Sequence, residues 1–195
     1  MPKGRGQQVK KCRICGVKFE PVRSLQLACS MECAIGHANK ITEKKQREKE
    51  LEERRELKAR KEKLKTRSDW MKEAQIAFNN YIRERDKDRP CICCGAPLGT
   101  NSVGGGFDCG HYRSVGSAPH LRFDDRNAHG QTKQCNRWGA GRAVDYRLGL
   151  IARIGMDAVA ALESDQSVKK YTIDELKAIK AEYKQKLKEL QRMAA

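Results

Sequence analysis

The side chains best suited to chemistry in this 195-residue chain are nine cysteines and four histidines, and their spacing sorts most of them into sets. Cys12-Arg-Ile-Cys15-Gly and Cys29-Ser-Met-Glu-Cys33 place four thiols in two close pairs. Thiolates favour tetrahedral Zn2+, and a Cys-x-x-Cys turn presents two sulfurs to one ion. So small a segment can hardly fold without the ion, so a structural zinc on Cys12, Cys15, Cys29 and Cys33 is expected. A second set opens at Cys91-Ile-Cys93-Cys94-Gly95 and closes at Cys135. Cys91 and Cys94 repeat the turn spacing, which makes Cys93 a bystander. Thr132 stands where a matching pair would put its third sulfur. Zinc on Cys91, Cys94 and Cys135 is the expectation, with the fourth ligand open among Cys109, His129 and Thr132. Otherwise this module keeps its shape with an incomplete site. Between the two halves lie Asp108, His111 and Asn127, and Asn136 follows Cys135.

The net charge of +16 is the strongest global signal, and nucleic acid is the usual partner that offsets such self-repulsion. With 38% hydrophobic and 34% charged residues, there is too little apolar material for one large core, so a small domain with appendages is expected. No apolar run approaches the ~18 residues of a membrane span. The opening MPKGRGQQVKKC has basic residues but no apolar stretch, so it does not read as a secretory signal. A cytoplasmic location follows as an expectation, in the host cytoplasm or nucleoid, where thiols stay reduced and serve metals before disulfides.

Four segments must position these side chains: a zinc-knuckle module over 1–37, a charged helical linker over 38–67, a core over 68–150 and a helical region over 151–195. The linker has no Gly or Pro, and Glu43–Arg47, Glu50–Arg54 and Glu56–Arg60 are favourable i,i+4 pairs. Its few apolar residues hold no heptad, so a solvated helix is expected, a spacer or a contact to DNA phosphates. Ser68 is read as the cap of the next helix, in which Trp70, Ala74, Phe78 and Tyr81 form a core stripe ending before Pro90. Gly99–Gly106 reads as a loop and 107–112 as a short strand. Helices are expected over 143–154 and 157–163, and from Thr172 with Glu175 as a capping box. The apolar face Leu176, Ile179, Tyr183, Leu187 and Leu190 needs a partner, either the core or a second subunit. His37 and His120 read as surface residues, and Asp124 and Asp125 as turn-forming.

The Phe107–Tyr112 segment, Asn127 and the Cys135-Asn136 pair together resemble an HNH (His-Me finger) nuclease. In that family two strands and a helix hold one divalent ion, and the acid commonly sits immediately before the first histidine. The resemblance makes His111 the general base, Asn127 the loop-fixing residue and Asn136 a metal ligand. Asp108 becomes the acidic ligand, because Gly110 fills the usual place. More narrowly, the chain resembles the NinG (Rap) family of lambdoid phages along nearly its whole length. Arg67-Ser68-x-Trp70, Ile82-Arg83-Glu84-Arg85-Asp86, Pro90-Cys91-Ile92-x-Cys94-Gly95 and Gly110-His111-Tyr112-Arg113 carry it. Leu121-Arg122-Phe123, Asn127-x-His129 and Lys177-Ala178-Ile179-Lys180-Ala181-Glu182-Tyr183 complete it. That family has a cysteine where Thr132 stands here.

The resemblance implies an α+β fold with an HNH-type ββα-metal core, an N-terminal zinc knuckle, a charged connecting helix and C-terminal helices. It implies Mg2+- or Mn2+-dependent cleavage of branched double-stranded DNA, such as D-loops and Holliday junctions, in phage recombination. A neutral imidazole can take a proton from water, and an ion on Asp and Asn oxygens can stabilise the transition-state charge. Arg113, Arg122 and Arg142 are candidates for phosphate contacts. Recombination proteins are further expected partners, and a homodimer is an expectation from the two cuts that junction resolution needs. The competing reading is a non-catalytic zinc-containing nucleic-acid binder or recombination adaptor.

Overall fold

The computed structural model describes residues 9–99, 106–139 and 142–193. The chain is a mixed helical and small-sheet protein in two compact units, Met1–Leu64 and Lys65–Ala195. The expected Gly99–Gly106 loop lies, over 100–105, outside the described residues.

In the first unit a short hairpin pairs β1 (Lys10–Lys11) with β2 (Lys18–Phe19). Its turn carries Gly16 at φ +75, a left-handed conformation that suits glycine. Helix α1 (Met31–Lys63) starts earlier than the charge run suggests, because Ser30 caps it by accepting from the Cys33 N–H. The cap places Cys33 in the first helical turn. No residue of α1 is buried. Its ion pairs are Lys44–Glu48, Lys49–Glu53 and Glu52–Arg55, not the three pairs read from spacing. All are exposed, where a pair is worth about 0–1 kcal/mol, so side-chain entropy decides which ones close.

The second unit is built on α2 (Arg67–Asp86), which packs lengthwise on α5 (Ile173–Met193). Trp70, Ala74, Ala77, Phe78 and Ile82 are buried against Tyr171, Leu176, Tyr183, Phe123 and Ala128. The Phe78 and Tyr183 rings meet edge-on at 4.8 Å. Leu176, Ile179 and Tyr183 of the α5 stripe thus find their partner within the chain. Thr66 caps α2 rather than Ser68: it exchanges bonds with Asp69 in a capping box, which satisfies two orphan donors where Ser68 would satisfy one. Thr172 and Glu175 form the same device at the start of α5.

A second core gathers Ile92, Leu121, Tyr146, Leu150, Val159 and Leu162 around α3 (Ala143–Ile154) and α4 (Met156–Ser164). At Gly149 a Cβ would stand 1.8 Å from the Ile92 carbonyl oxygen, so α3 lies directly on the cysteine-turn backbone. Between the cores, β3 (Phe107–His111) pairs antiparallel with β4 (Ala128–Thr132), Asp108 opposite Gln131 and His111 opposite Ala128. A single π-turn, Gln134–Trp138, follows β4 where the resemblance implies an α-helix.

Asp86, the last residue of α2, is fully buried and joins these parts. Its carboxylate accepts from the Gly130 N–H at 2.8 Å and from Arg85 at 2.8 and 2.9 Å, and Arg153 of α3 lies 3.6 Å away. Burial alone would raise its pKa, but Arg85 and the Gly130 N–H outweigh it and hold the carboxyl far below the ordinary range. Arg85 also donates to the carbonyls of Asp125 and Ala128, and Arg153 to that of Pro90. Removing one partner of a buried charged set leaves the others uncompensated. Asp86→Ala is therefore expected to cost about 3–5 kcal/mol of unfolding free energy in urea denaturation. A loss under about 1 kcal/mol would show that the arginines find other partners.

Candidate metal centres and active site

The Sγ atoms of Cys12, Cys15, Cys29 and Cys33 all lie within 4.8 Å of one another. The β1–β2 turn supplies the first pair, and the entry to α1 the second. Cys15 and Cys29 are 3.4 Å apart, and Cys29 and Cys33 3.8 Å. Sulfurs bound tetrahedrally to one zinc are about 3.8 Å apart. Backbone N–H groups of Cys15 and Ile14 bring the Cys12 thiol down to about 6, so it is a thiolate at neutral pH.

In the second cluster Cys91, Cys94 and Cys135 meet the same distance limit. Gly95, at φ +70, repeats the turn geometry of Gly16. The Thr132 hydroxyl lies 3.8 Å from Cys91 Sγ and accepts from the Cys135 N–H at 3.3 Å, while the Thr132 N–H points at Cys91 Sγ at 3.4 Å. Of the three candidates for the fourth place, Thr132 is therefore the one at the cluster. Cys109 packs against the α2 core, and burial pushes its thiol up to about 12. His129 has both ring nitrogens engaged, Nε2 on the Arg126 carbonyl and Nδ1 facing Arg85 and Arg153 at 3.0 and 3.4 Å. Nδ1 is thus an acceptor from arginine, and the ring is neutral, with its pKa lowered chiefly by burial. Both clusters have the donors and the spacing to bind zinc.

His111 closes β3. One ring nitrogen, Nε2, lies 3.0 Å from the Arg122 carbonyl, and the ring stacks on Phe78 at 5.8 Å. A carbonyl only accepts, so that nitrogen carries the proton and the other is the acceptor. Burial lowers the His111 pKa below its ordinary value, against a smaller opposing effect of the Arg122 carbonyl. Asn127 is fully buried: its amide oxygen accepts from the Arg113 N–H, and its NH2 donates to the carbonyls of Arg113 and Leu121. It thereby ties together both ends of the loop that follows His111.

Asp108 and Asn136 meet, the Asn136 amide donating to the carboxylate at 3.1 Å. Arg137 caps the same carboxylate with two bonds of 2.7 and 2.9 Å. Burial raises the Asp108 pKa, but Arg137 and Asn136 outweigh it and leave the group ionised. Strand alternation puts Asp108 and His111 on opposite faces of β3, so the structure groups Asp108 with Asn136 and not with His111. An acid directly before His111 would have the same opposite parity, and Asp108 keeps it from two residues, about 7 Å, further back. The usual place is filled: a Cβ at Gly110 would stand 2.0 Å from Gln131 Oε1.

The three arginines differ. Arg113 Nη1 donates to the carbonyls of Leu162, Glu163 and Asp165, which commits it to the C-terminal end of α4. Arg122 donates to Gln75, and Arg142, at φ +47, pairs with the half-buried Asp145. His120 is not a surface residue: its side chain is largely buried and bonds the Asp165 carbonyl. The sequence pattern does not single out Arg137 or Asp86. Arg137 follows a predicted ligand directly, which is a readable signal. Asp86 stands only in the Ile82–Asp86 motif, and its bonds to Gly130 and Arg153, 44 and 67 residues away, leave no trace in local spacing.

A family model described as the Bacteriophage Lambda NinG protein matches residues 5–193. A "Protein ninG" of Escherichia phage 933W is 44% identical over 196 aligned positions, 93% of each chain. That of Escherichia phage lambda is 45% identical over 190 positions, covering 90% of this chain and 89% of the relative. That of Salmonella phage P22 is also 45% identical over 190 positions, 90% of each. No solved structure matches.

With three sulfurs and a hydroxyl, the second cluster should hold zinc less firmly than the first. In a chelator titration followed by a colorimetric zinc indicator, zinc is expected to leave in two phases. Thr132→Cys should delay the earlier phase, and Cys135→Ser should abolish it. A single phase unaffected by Thr132→Cys would rule this assignment out.

Proposed function

Because the chain belongs to the NinG family of bacteriophage lambda, we propose that it is a divalent-metal-dependent, structure-specific endonuclease acting on branched DNA intermediates of phage recombination. The observation that carries this reading is His111 at the end of β3, with one nitrogen bonded to the Arg122 carbonyl and the other left as a base. Its lowered pKa keeps the ring unprotonated at neutral pH, as an acceptor of a proton from water must be. Asn127 holds the loop after it in place.

The donor set at Asp108 and Asn136, a carboxylate beside an amide, fits a hard cation of the Mg2+ type. When bound, such an ion supplies Lewis-acid relief of the charge on the phosphate and the leaving 3′ oxygen. Asn136 would offer its amide oxygen after turning from its present bond. Arg122 and Arg142 are proposed to contact flanking phosphates, while Arg113 serves the fold. Both units share the basic excess, 18 basic against 9 acidic residues over 1–64 and 23 against 16 over 65–195, so DNA binding should weaken steeply with salt. One observation favours the alternative of a non-catalytic nucleic-acid binder or recombination adaptor: Asp108 already has a cationic partner in Arg137.

The test is cleavage of end-labelled D-loop, Holliday junction and linear duplex with Mg2+ or Mn2+. Wild type should cut the branched forms preferentially, and His111→Ala should be slower by roughly 100- to 10,000-fold with binding retained. The wild-type rate should fall as pH is lowered, with its midpoint below the ordinary histidine value of 6.5, because protonation of His111, with its lowered pKa, removes the base. Binding without cleavage by the wild type would hand the case to the alternative.

A further inference from the structure

The chain has two tryptophans, five tyrosines and four phenylalanines. Ten of these rings are buried or half-buried, whereas Trp138 is 77% exposed. Trp70, by contrast, is 4% exposed. An exposed ring of this size is informative where an exposed leucine is not, since tryptophan normally contributes its area to a core or an interface. Trp138 ends the π-turn that carries Asn136 and Arg137, two residues in sequence after the Asn136 that bonds Asp108. Its surroundings select the partner. From Arg126 to Val144 there is no Asp or Glu, while Arg126, Lys133, Arg137 and Arg142 all fall in that span, three of them paired with Asp124, Asp108 and Asp145 outside it. An exposed π-face on a basic segment matches a nucleobase next to its phosphates. A paired base in a duplex keeps both faces stacked on its neighbours, so the ring is available only to a base that has lost one.

We propose that Trp138 receives an unpaired base at the branch point by stacking, and so sets the preference for branched over linear DNA. The inference rests on the proposed action on branched DNA but needs no cleavage. The carboxylate-free span supplies sequence-independent attraction, and the ring supplies the discrimination.

The test is fluorescence anisotropy with a labelled fork bearing unpaired arms and a blunt duplex of the same sequence, without added divalent ion so that nothing is cut. Wild type should prefer the fork. Trp138→Ala should weaken fork binding roughly 10- to 100-fold and leave the blunt duplex within about twofold, and Trp138→Phe should recover most of the loss. Equal weakening on both DNAs, no change on the fork, or a wild type without fork preference would each overturn the proposal. The ring is exposed, so neither variant should disturb folding, and unchanged circular dichroism and melting check this. A wild type that cuts nothing, yet loses fork preference in Trp138→Ala, would sink the endonuclease reading and leave the stacking role standing. A Trp138→Ala protein that still prefers and cuts forks would do the reverse.

Discussion

The buried carboxylate of Asp86 is the constraint on which the second unit depends. It sits where the end of α2, strand β4, helix α3 and the entry to the cysteine turn converge, and it bonds or pairs with groups from the first three. Its partner Arg85 carries the link to the backbone of Asp125 and Ala128, and Arg153 carries it to Pro90. These carbonyls and N–H groups lie outside regular structure or on the open edge of a two-stranded sheet, so ladders do not satisfy them. A charged network does so instead, and among the described residues no buried side-chain polar atom is left without a partner. Such networks depend on complete satisfaction, because the low local dielectric magnifies both a made bond and a missing one.

That network bears directly on the candidate site. Gly130 and His129 are its contacts on β4, and Tyr146 of α3 donates to the Gly110 carbonyl from the far side. The two-stranded sheet is thus clamped at the residues next to His111. A free two-stranded hairpin is marginal in water. Here the geometry of a short strand end is fixed by charges and aromatic rings around it. The Phe78 ring under His111 belongs to the α2–α5 core, so the placement of the imidazole follows from the main apolar packing of the unit.

Much of this was legible in the residues. The α2 stripe, the α3 and α4 helices, the Thr172–Glu175 cap and the two Cys-x-x-Cys turns follow from local period and spacing, which are short-range properties. The cap of α2 was misplaced by two residues because Thr66–Asp69 and Ser68 compete as caps, and only the reciprocal bond separates them. The partner of the α5 stripe, the clamp at Asp86 and the buried His120 depend on contacts between segments far apart in sequence, which no local pattern reports. The candidate site divides in the same way. Asp108, His111, Asn127 and Asn136 are singled out by the family resemblance, whereas the placement of Asp108 and His111 on opposite faces of β3 emerges only with the strand and its register. The choice of Thr132 over Cys109 and His129 at the second cluster likewise needed three-dimensional packing.

Arg137 gives the Asp108 carboxylate its counter-charge within the protein. Any cation that takes this carboxylate must displace the guanidinium, so cation uptake and release of the arginine are one exchange of positive charge. Thermodynamic reciprocity then follows. Whatever anion holds the released arginine favours cation binding by the same factor by which the cation favours that anion. The arrangement makes the carboxylate a poor site for an ion arriving alone and a better one for an ion arriving with a polyanion.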